Sequence, residues 1–151
     1  MHTLRVMAPA FPLARSLLIA VGIQLACQAF KVVLYSVRER RADLSWFFSA
    51  GGIPSAHSAF VTALSVSVGL GSGFRSDVFA VACVFSIIII YDSWRLRGAV
   101  QRHAQTLNAL ARASRRLKLG TLNENIGHSL VEIAAGVIAG GGLALLAHLL
   151  I

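Results

Sequence analysis

The sequence is poor in charged residues, in cysteine and in repeated segments. Only 13% of its 151 residues are charged, whereas 56% are hydrophobic, a balance far from that of soluble proteins. The two cysteines, Cys27 and Cys83, lie in separate apolar stretches and indicate neither a disulfide framework nor a metal site. No internal repeat or low-complexity tract is present. These absences exclude an ordinary soluble domain, and they indicate one integral-membrane domain over residues 1–151.

Three long apolar stretches are candidates for transmembrane helices. Residues 16–37 and 53–74 are each 22 residues long, and they contain the ionisable groups Lys31 and His57, respectively. Residues 133–151 form a third stretch of 19 residues. About 20 apolar residues cross the hydrocarbon core of a bilayer as a helix, so each stretch is long enough to span.

A further, shorter span is predicted between the second and the last of these stretches, so it is the third span in chain order. Residues 78–91 supply only 14 uncharged residues, so we expect this helix to continue through Trp94. In the last stretch, Gly136 and Gly140 have the GxxxG spacing that lets helices approach closely. The sequence predicts an all-α, polytopic bundle of about four transmembrane helices plus one amphipathic basic helix.

The net charge of +8 is distributed unevenly along the chain. With four spans, three basic residues fall on the side of the termini, namely Arg5, Arg15 and Arg75. Ten fall on the opposite side, namely Arg38, Arg40, Arg41, Arg95, Arg97, Arg102, Arg112, Arg115, Arg116 and Lys118. The positive-inside rule therefore predicts that the ten face the cytoplasm. The spans exclude a soluble nucleic-acid binder.

The amphipathic helix is predicted between the third and fourth spans. Its apolar stripe follows alternating spacings of four and three, through Leu96, Val100, His103, Leu107, Leu110, Ser114 and Leu117. A basic face lies opposite, so the helix could rest on anionic headgroups or pack across the ends of the spans. Gly120 is a plausible stop signal, and Thr121 to Glu124 predicts a capped restart that runs into the last span.

The stretch GGIPSAHSA, residues 51–59, interrupts the apolar sequence with a turn. Two glycines free the backbone to turn, Pro54 favours a first helical turn, and an apolar helical sequence follows. The stretch thus predicts a loop that ends at a helix N-terminus. Such an end attracts anions, including phosphate, and Ser55 and His57 would stand beside one.

Ionisable groups in or beside apolar spans are costly and are usually functional. Six of them fall toward the same ends of the predicted spans: Lys31, His57, Asp92, Arg97, His128 and Glu132. Two histidines, two cations and a carboxylate four residues after a histidine are what phosphoryl transfer through a histidine requires. Each also has a plain structural interpretation on its own, such as an ion pair between Asp92 and Arg95 or a helical contact between His128 and Glu132.

The chemistry assigns a role to each residue type. His128 is the predicted nucleophile, and Glu132 would hold its other ring nitrogen. Lys31 and Arg97 would neutralise the phosphate oxygens together with N–H groups near Ser55. The imidazole of His57 would protonate the leaving alkoxide as a general acid.

Three ordered motifs, GGIPSAHSA, YDSWRLRGAVQRHAQTLN and ENIGHSLVEIAAG, with CQAFK upstream, resemble the divergent branch of the type 2 phosphatidic-acid phosphatase (PAP2) family. That family is related to the vanadium haloperoxidases. The resemblance extends from about Gln28 to Gly140. It implies a motif lysine at Lys31, a Pro-Ser-x-His motif at Ser55 and His57, and a third motif at the residues Arg97, His128 and Glu132.

This sequence also departs from the pattern. Arg97 is 31 positions before His128, and in the YDAxGVRR-like segment Arg95 replaces the glycine and Gly98 the second arginine. A proline expected after the GHT is Leu130. We therefore keep three residues as accessory candidates for the phosphate: Asp92, Arg95 and Arg102.

The resulting hypothesis is a metal-independent, cofactor-free phosphatase that hydrolyses a lipid phosphomonoester or diphosphate, located in a bacterial inner membrane with its site toward the cytoplasm. Its expected partners are membrane lipids and a lipid phosphate, with homo-oligomerisation left open. One alternative is a non-catalytic carrier or binding protein for lipid phosphates. Another is a metal site of three residues on one helical face, Glu124, His128 and Glu132.

Overall fold

The computed structural model describes residues 12–49, 51–114 and 120–150, and no strand occurs in those ranges. The helices in chain order are α1 (Pro12–Glu39), α2 (Ala56–Ser72), α3 (Asp77–Tyr91), α4 (Arg97–Ala113) and α5 (Leu130–Leu150). A 3₁₀ turn, Leu44–Phe47, follows α1, and a π-helical turn, Asp92–Leu96, joins α3 to α4. The predicted all-α membrane bundle is confirmed. Some residues used in the sequence argument lie outside the described ranges, namely Arg5, Arg115, Arg116, Leu117 and Lys118.

Within the described residues, three helices are long and apolar enough to cross a membrane: Arg15–Glu39, the continuous helix Asp77–Ala113, and Leu130–Leu150. Many of their apolar side chains lie on the outside of the bundle, where Leu18 and Ile138 are 71% and 75% exposed. An apolar outer surface on helices that satisfy their own backbone hydrogen bonds is what contact with lipid requires. The chain is an integral membrane protein.

The second helix, α2, is shorter than the 53–74 stretch suggested, because residues 53–55 belong to the preceding turn. It has 17 residues, and it occupies the centre of the bundle in contact with α1, α3 and α5. Its most buried positions are small residues, since Ala56, Ala59 and Ala63 are fully buried. A helix of 17 residues is about 26 Å long, and its neighbours cover it on several sides.

The backbones of α2 and α5 are in close contact. Gly136 lies against the carbonyl oxygen of Ser55, and Gly140 lies against the carbonyl oxygen and Cα of Ala59. A Cβ atom at either glycine would collide with those backbone atoms. The close approach predicted from the GxxxG spacing is therefore confirmed.

The span predicted at residues 78–91 continues further than expected. The helix passes from α3 through the π-helical turn into α4 and ends at Ala113. The amphipathic pattern of α4 is confirmed, because Val100, Leu107 and Leu110 are exposed along one face, whereas Ala104 and Asn108 are buried on another. α4 thus presents an apolar stripe outward and keeps a small, polar contact face toward the protein.

The predicted helix restart at Thr121 to Glu124 is wrong. Residues 120–129, which we call the α4–α5 segment, are not helical, and α5 begins only at Leu130. The side chain of Asn108 binds both backbone groups of Leu122, accepting from its N–H at 3.0 Å and donating to its carbonyl at 2.9 Å. A tertiary contact thus takes the backbone groups that a local helix would need.

Candidate active site

Lys31 lies on α1, is fully buried, and donates a hydrogen bond from Nζ to the carbonyl oxygen of Gly51 at 3.0 Å. One turn further along, the hydroxyl of Tyr35 accepts a hydrogen bond from the Ile53 N–H at 3.3 Å. The Tyr35 ring also stacks on Trp46 at 3.9 Å. α1 therefore fixes the turn before α2. Because an ammonium group carries three donors, Lys31 keeps two for an anion.

Ser55 begins α2 and connects it to α5. Its N–H donates to the carbonyl oxygen of Glu132 at 2.9 Å, and its Oγ accepts from the N–H and the hydroxyl of Ser58 at 3.3 and 3.0 Å. Ser55 is fully buried, whereas His57 in the first turn is only half-buried. The predicted loop ending at a helix N-terminus is present. First-turn N–H groups of this kind are the usual partners of a phosphate oxygen.

His128 lies just before α5, and its Nδ1 is 2.8 Å from Oε2 of Glu132. An ionised carboxylate only accepts hydrogen bonds, so Nδ1 carries the proton and Nε2 keeps its lone pair. Ser129 caps the helix, because its Oγ accepts from the Glu132 N–H at 3.3 Å. The predicted i,i+4 contact therefore forms across the start of α5. The Nε2 atom is buried and has no hydrogen-bond partner within the described ranges.

The surroundings of His128 favour the neutral imidazole. The side chain is 1% exposed, and burial lowers the pKa of His128 below its ordinary value near 6.5. The bonded Glu132 carboxylate opposes that shift, and the cations Lys31 and Arg97 add to it. A neutral imidazole with one nitrogen held and the other unpaired is the reactive form of a histidine nucleophile.

Arg97 is oriented by Asp92, whose Oδ2 lies 2.9 Å from Nε of the guanidinium. Both side chains are partly exposed, at 35% and 33%. The two residues bracket the π-helical turn, in which the Arg97 N–H bonds to the carbonyl of Asp92 five residues back. Such turns are rare and occur frequently at functional sites. The Nε contact leaves the terminal nitrogens of the guanidinium for another anion.

Predicted residues from all three motifs meet at one end of the bundle. The His57 imidazole lies within electrostatic range of Arg97, His128, Lys31 and Asp92. Lys31 interacts in turn with Glu132. Side chains on α1, α2, α4 and α5 therefore converge on one place, although they are separated by up to about a hundred residues in sequence.

A cavity of about 280 Å³ opens beside His128 and Glu132, and its other lining residues are Trp94, Gly98, Gln101, Arg102, Asn125, Gly127 and Ser129. Of the accessory cations, Arg102 lines this cavity. Arg95 instead lies over the ring of Trp94, with its Cζ 5.2 Å from the ring centroid. Arg102 thus shares a cavity with His128 that is not lined by Lys31, Ser55, His57 or Arg97, and Asp92 contacts Arg97. Arg95 instead contacts an exposed tryptophan ring. The ion pair suggested between Asp92 and Arg95 is wrong, because Asp92 pairs with Arg97 instead.

Two residues that bind the α4–α5 segment before His128 were missed from the sequence. Gln101 accepts a hydrogen bond from the Gly127 N–H at 2.9 Å, and Asn108 binds Leu122 and the Glu124 side chain. The sequence feature that could have indicated them is a pair of uncharged amides, seven residues apart on a helix whose polar face is otherwise basic. That spacing is two helical turns and places both amides on one face.

The helical triplet suggested as a metal site does not form. The α4–α5 segment is not helical, so Glu124 does not share a helical face with His128 and Glu132. Glu124 accepts a hydrogen bond from Asn108 Nδ2 at 2.7 Å, and Glu132 is bonded to His128. Among residues 12–49, 51–114 and 120–150, no three His, Cys, Asp or Glu side chains are arranged to hold a metal ion.

Comparison with known proteins agrees with the family that the motifs resemble. Residues 14–143 match the Divergent PAP2 family. The chain belongs to this family. It is also similar to the uncharacterized membrane protein YuiD of Bacillus subtilis (strain 168), with 33% identity over 144 residues that cover 86% of this chain and 89% of the relative. No solved structure gives a significant match.

Within this divergent PAP2 fold, one departure from the expected motif lies where two stretches of backbone are in close contact. Gly98, which stands where a second arginine was expected, faces Gly127 of the α4–α5 segment. A Cβ atom on Gly127 would lie 2.8 Å from Cα of Gly98 and 3.1 Å from the carbonyl carbon of Arg97. The segment that carries His128 therefore crosses α4 in backbone contact, directly after Arg97.

Proposed function

We propose that this protein is a membrane-embedded phosphatase that hydrolyses a lipid phosphomonoester or diphosphate through a phosphohistidine. One observation carries the proposal: Nδ1 of His128 is held by Glu132 at 2.8 Å while Nε2 is buried and unpaired within the described ranges. Membership of the divergent PAP2 family and the convergence of Lys31, His57 and Arg97 on this ring support it.

In the first step, Nε2 of His128 attacks the terminal phosphorus, the N–P bond forms, and the bond from that phosphorus to the oxygen that joins it to the rest of the lipid breaks. His57 gives its proton to this departing oxygen, so that a phosphomonoester releases the lipid as an alcohol and a diphosphate releases it as a lipid monophosphate. Lys31, Arg97 and the N–H groups at Ser55 stabilise the charge on the equatorial oxygens. The Glu132 carboxylate stabilises the positive charge that develops on the His128 ring.

In the second step, a water molecule attacks the phosphohistidine and gives a proton to His57, which now acts as a base. The N–P bond breaks, inorganic phosphate leaves, and His128 returns to its neutral form. Both steps balance without an oxidant, a reductant or a metal ion. The alternation of His57 between acid and base follows from the reversal of roles that a two-step displacement requires.

A lipid substrate is supported by the apolar surroundings of the site. A groove of about 320 Å³ lies between α1 and α5 and is lined by Ala26, Cys27, Phe30, Pro54, Ala139 and Leu143. Cys27 is one helical turn from Lys31, and Pro54 precedes Ser55, so the groove is lined by neighbours in sequence of two proposed phosphate-binding residues. A hydrocarbon chain in this groove would carry its phosphate to the polar residues.

The proposal is tested by measuring phosphate release from a panel of lipid phosphates in detergent, with and without a chelator. The panel contains phosphatidic acid, phosphatidylglycerol phosphate and a polyprenyl phosphate. Chelator-resistant release supports the histidine mechanism, and release that the chelator abolishes would replace it by a metal mechanism. Binding of a lipid phosphate without turnover would instead favour the non-catalytic carrier. The bacterial relative, described as a membrane protein, supports a bacterial inner membrane as the location.

A further inference from the structure

The α4–α5 segment is attached to α4 by the buried side chain of Asn108. The amide donates from Nδ2 to the Leu122 carbonyl at 2.9 Å and to Oε1 of Glu124 at 2.7 Å, and its Oδ1 accepts from the Leu122 N–H at 3.0 Å. Asn108 is 5% exposed. Both polar atoms of the Asn108 side chain therefore form hydrogen bonds with the α4–α5 segment.

Only a carboxamide satisfies these partners. Leu122 N–H needs an acceptor, whereas the Leu122 carbonyl and the Glu124 carboxylate need donors. An aspartate at position 108 would place a carboxylate against two acceptors, and an apolar side chain would leave all three groups without their partner. The identity of Asn108 is thus explained by the contact with the segment rather than by the stability of α4, where asparagine is a weak helix former.

A second amide holds the other end of the segment, next to His128. Oε1 of Gln101 accepts from the Gly127 N–H at 2.9 Å, and the carbonyl of Ser93 in the π-helical turn accepts from the His128 N–H at 3.3 Å. The segment thus contacts one continuous helix at Ser93, Gln101 and Asn108. Its backbone is fixed up to the residue that carries the imidazole.

We propose that Gln101 and Asn108 are positioning residues that set the place of His128 by binding the α4–α5 segment to α4. The catalytic consequence rests on the proposed phosphatase function, because Nε2 must meet phosphorus in line with the leaving oxygen. A misplacement of about 1 Å can cost about a hundredfold in rate. Neither amide makes a bond to the His128 ring, so both act through the backbone.

The first test compares three variants of the full-length protein in detergent: Gln101→Met, Gln101→Glu and the control Thr106→Val. Thr106 is exposed on α4, and its hydroxyl donates to the carbonyl of Arg102 in its own helix. Hydrogen exchange in peptides that cover residues 123–129 should be faster in Gln101→Met than in the control. Gln101→Glu keeps an acceptor for the Gly127 N–H and should restore slow exchange.

The second test measures phosphoenzyme formation in a single turnover, together with the inhibition constants of vanadate and of inorganic phosphate, in the same proteins. Gln101→Met should form the phosphoenzyme about 10- to 100-fold more slowly and should lose vanadate affinity by a similar factor, because vanadate resembles the in-line transition state. The inhibition constant of inorganic phosphate, which needs no in-line ring, should stay within about twofold of the control. Gln101→Glu is assessed by exchange alone, since a new charge beside Glu132 changes the rate for a separate reason. Asn108→Asp should accelerate exchange in peptides that cover residues 120–125 and slow phosphoenzyme formation.

The outcomes separate this inference from the proposed function. Unchanged exchange in both Gln101→Met and Asn108→Asp overturns the inference, as does faster exchange with an unchanged rate in an active protein. If the parent protein forms no phosphoenzyme, the proposed function fails, and the exchange data alone decide whether the two amides hold the segment. If Asn108→Asp does not fold, Gln101→Met decides both points.

Discussion

Glu132 binds the Nδ1–H of His128 at 2.8 Å with its side chain, across the first turn of α5. The same residue accepts the Ser55 N–H at 2.9 Å with its main-chain carbonyl. One residue therefore contacts both the proposed nucleophile and the start of the proposed phosphate loop. Because both contacts come from Glu132, this residue fixes the position of the nucleophile relative to the phosphate loop. The predictions below depend on that arrangement.

Replacing the nucleophile should abolish turnover without unfolding the protein. In His128→Ala we expect no phosphate release above background and no acid-labile, base-stable phosphoenzyme. His103 is exposed on α4, and His103→Gln serves as the matched control with normal activity. Rapid quench with a phosphorus-labelled lipid phosphate measures both. Near-normal turnover in His128→Ala would eliminate the phosphohistidine mechanism.

The acid limb of the pH profile should lie below pH 6.5. Burial lowers the pKa of His128, so its neutral form persists as the pH falls past the ordinary value. Glu132→Gln removes the charge that opposes this shift and should move the limb to still lower pH, with a rate about 10- to 100-fold smaller. The substrate titrates identically in both proteins, so the difference between the two limbs reports His128. A limb at higher pH in Glu132→Gln would contradict this assignment.

The same shift has a consequence for folding. Because the folded state disfavours protonation of His128, the unfolded chain binds more protons below pH 6.5. The contribution of this residue to stability is therefore present above pH 6.5 and is lost as the pH falls toward the lowered pKa. Thermal unfolding of His128→Gln in detergent should depend less on pH between 6.5 and 5 than that of the parent protein.

Vanadate should compete with the substrate through Lys31, because its trigonal-bipyramidal form resembles the in-line transition state. Lys31→Met removes the buried cation, keeps most of the stem volume, and should weaken vanadate by about 2–5 kcal/mol, or roughly 30-fold or more. Arg38 is exposed near the end of the same helix, and Arg38→Met is the matched control. Equal inhibition constants in Lys31→Met and the parent would exclude Lys31 from the phosphate site.

The glycine contact between the α4–α5 segment and α4 should tolerate a methyl group on one side only. A Cβ on Gly127 meets backbone atoms at 2.8 to 3.1 Å, whereas a Cβ on Gly98 approaches only Nη1 of Arg102 at 3.7 Å. Gly127→Ala should lower the free energy of unfolding by about 1–3 kcal/mol and reduce turnover. Gly98→Ala should change little, and equal effects of the two substitutions would argue against this contact.

The proposed site should face the cytoplasm, as the distribution of basic residues predicts. Single cysteines at Ser49 and Ser114, in a background without Cys27 and Cys83, should resist a membrane-impermeant thiol reagent in intact cells and react after permeabilisation. A cysteine appended after Ile151 should react in both conditions. The reverse pattern would invert the orientation and leave the chemistry intact. Labelling of positions 49 and 114 from opposite sides would separate the motifs and exclude a shared site.

Much of the fold and part of the site could be predicted from sequence, because their determinants are local. Apolar stretches define the spans, a serine cap defines the start of α2, and a spacing of four places Glu132 on His128. Glycines at positions 136 and 140 predicted a close helix contact, although not which helix they would meet.

The rest depends on contacts between residues far apart in the chain. The helix restart failed because Asn108, 14 residues earlier, binds the backbone of Leu122. The partner of Asp92 is Arg97 rather than Arg95, because the π-helical turn inserts an extra residue between them. A sequence analysis that assumes 3.6 residues per turn does not detect such an insertion.

The contact of Gly136 and Gly140 with the backbone of α2 also decides how a long-chain molecule can reach the two histidines. Helices whose main chains touch leave no gap for an alkyl chain, so the seam between α2 and α5 is closed to lipid. The α1–α5 side, in contrast, carries the groove that Pro54 helps to line. If the proposed function holds, a lipid chain would approach His57 and His128 along this groove, between Phe30 and Leu143, rather than between α2 and α5.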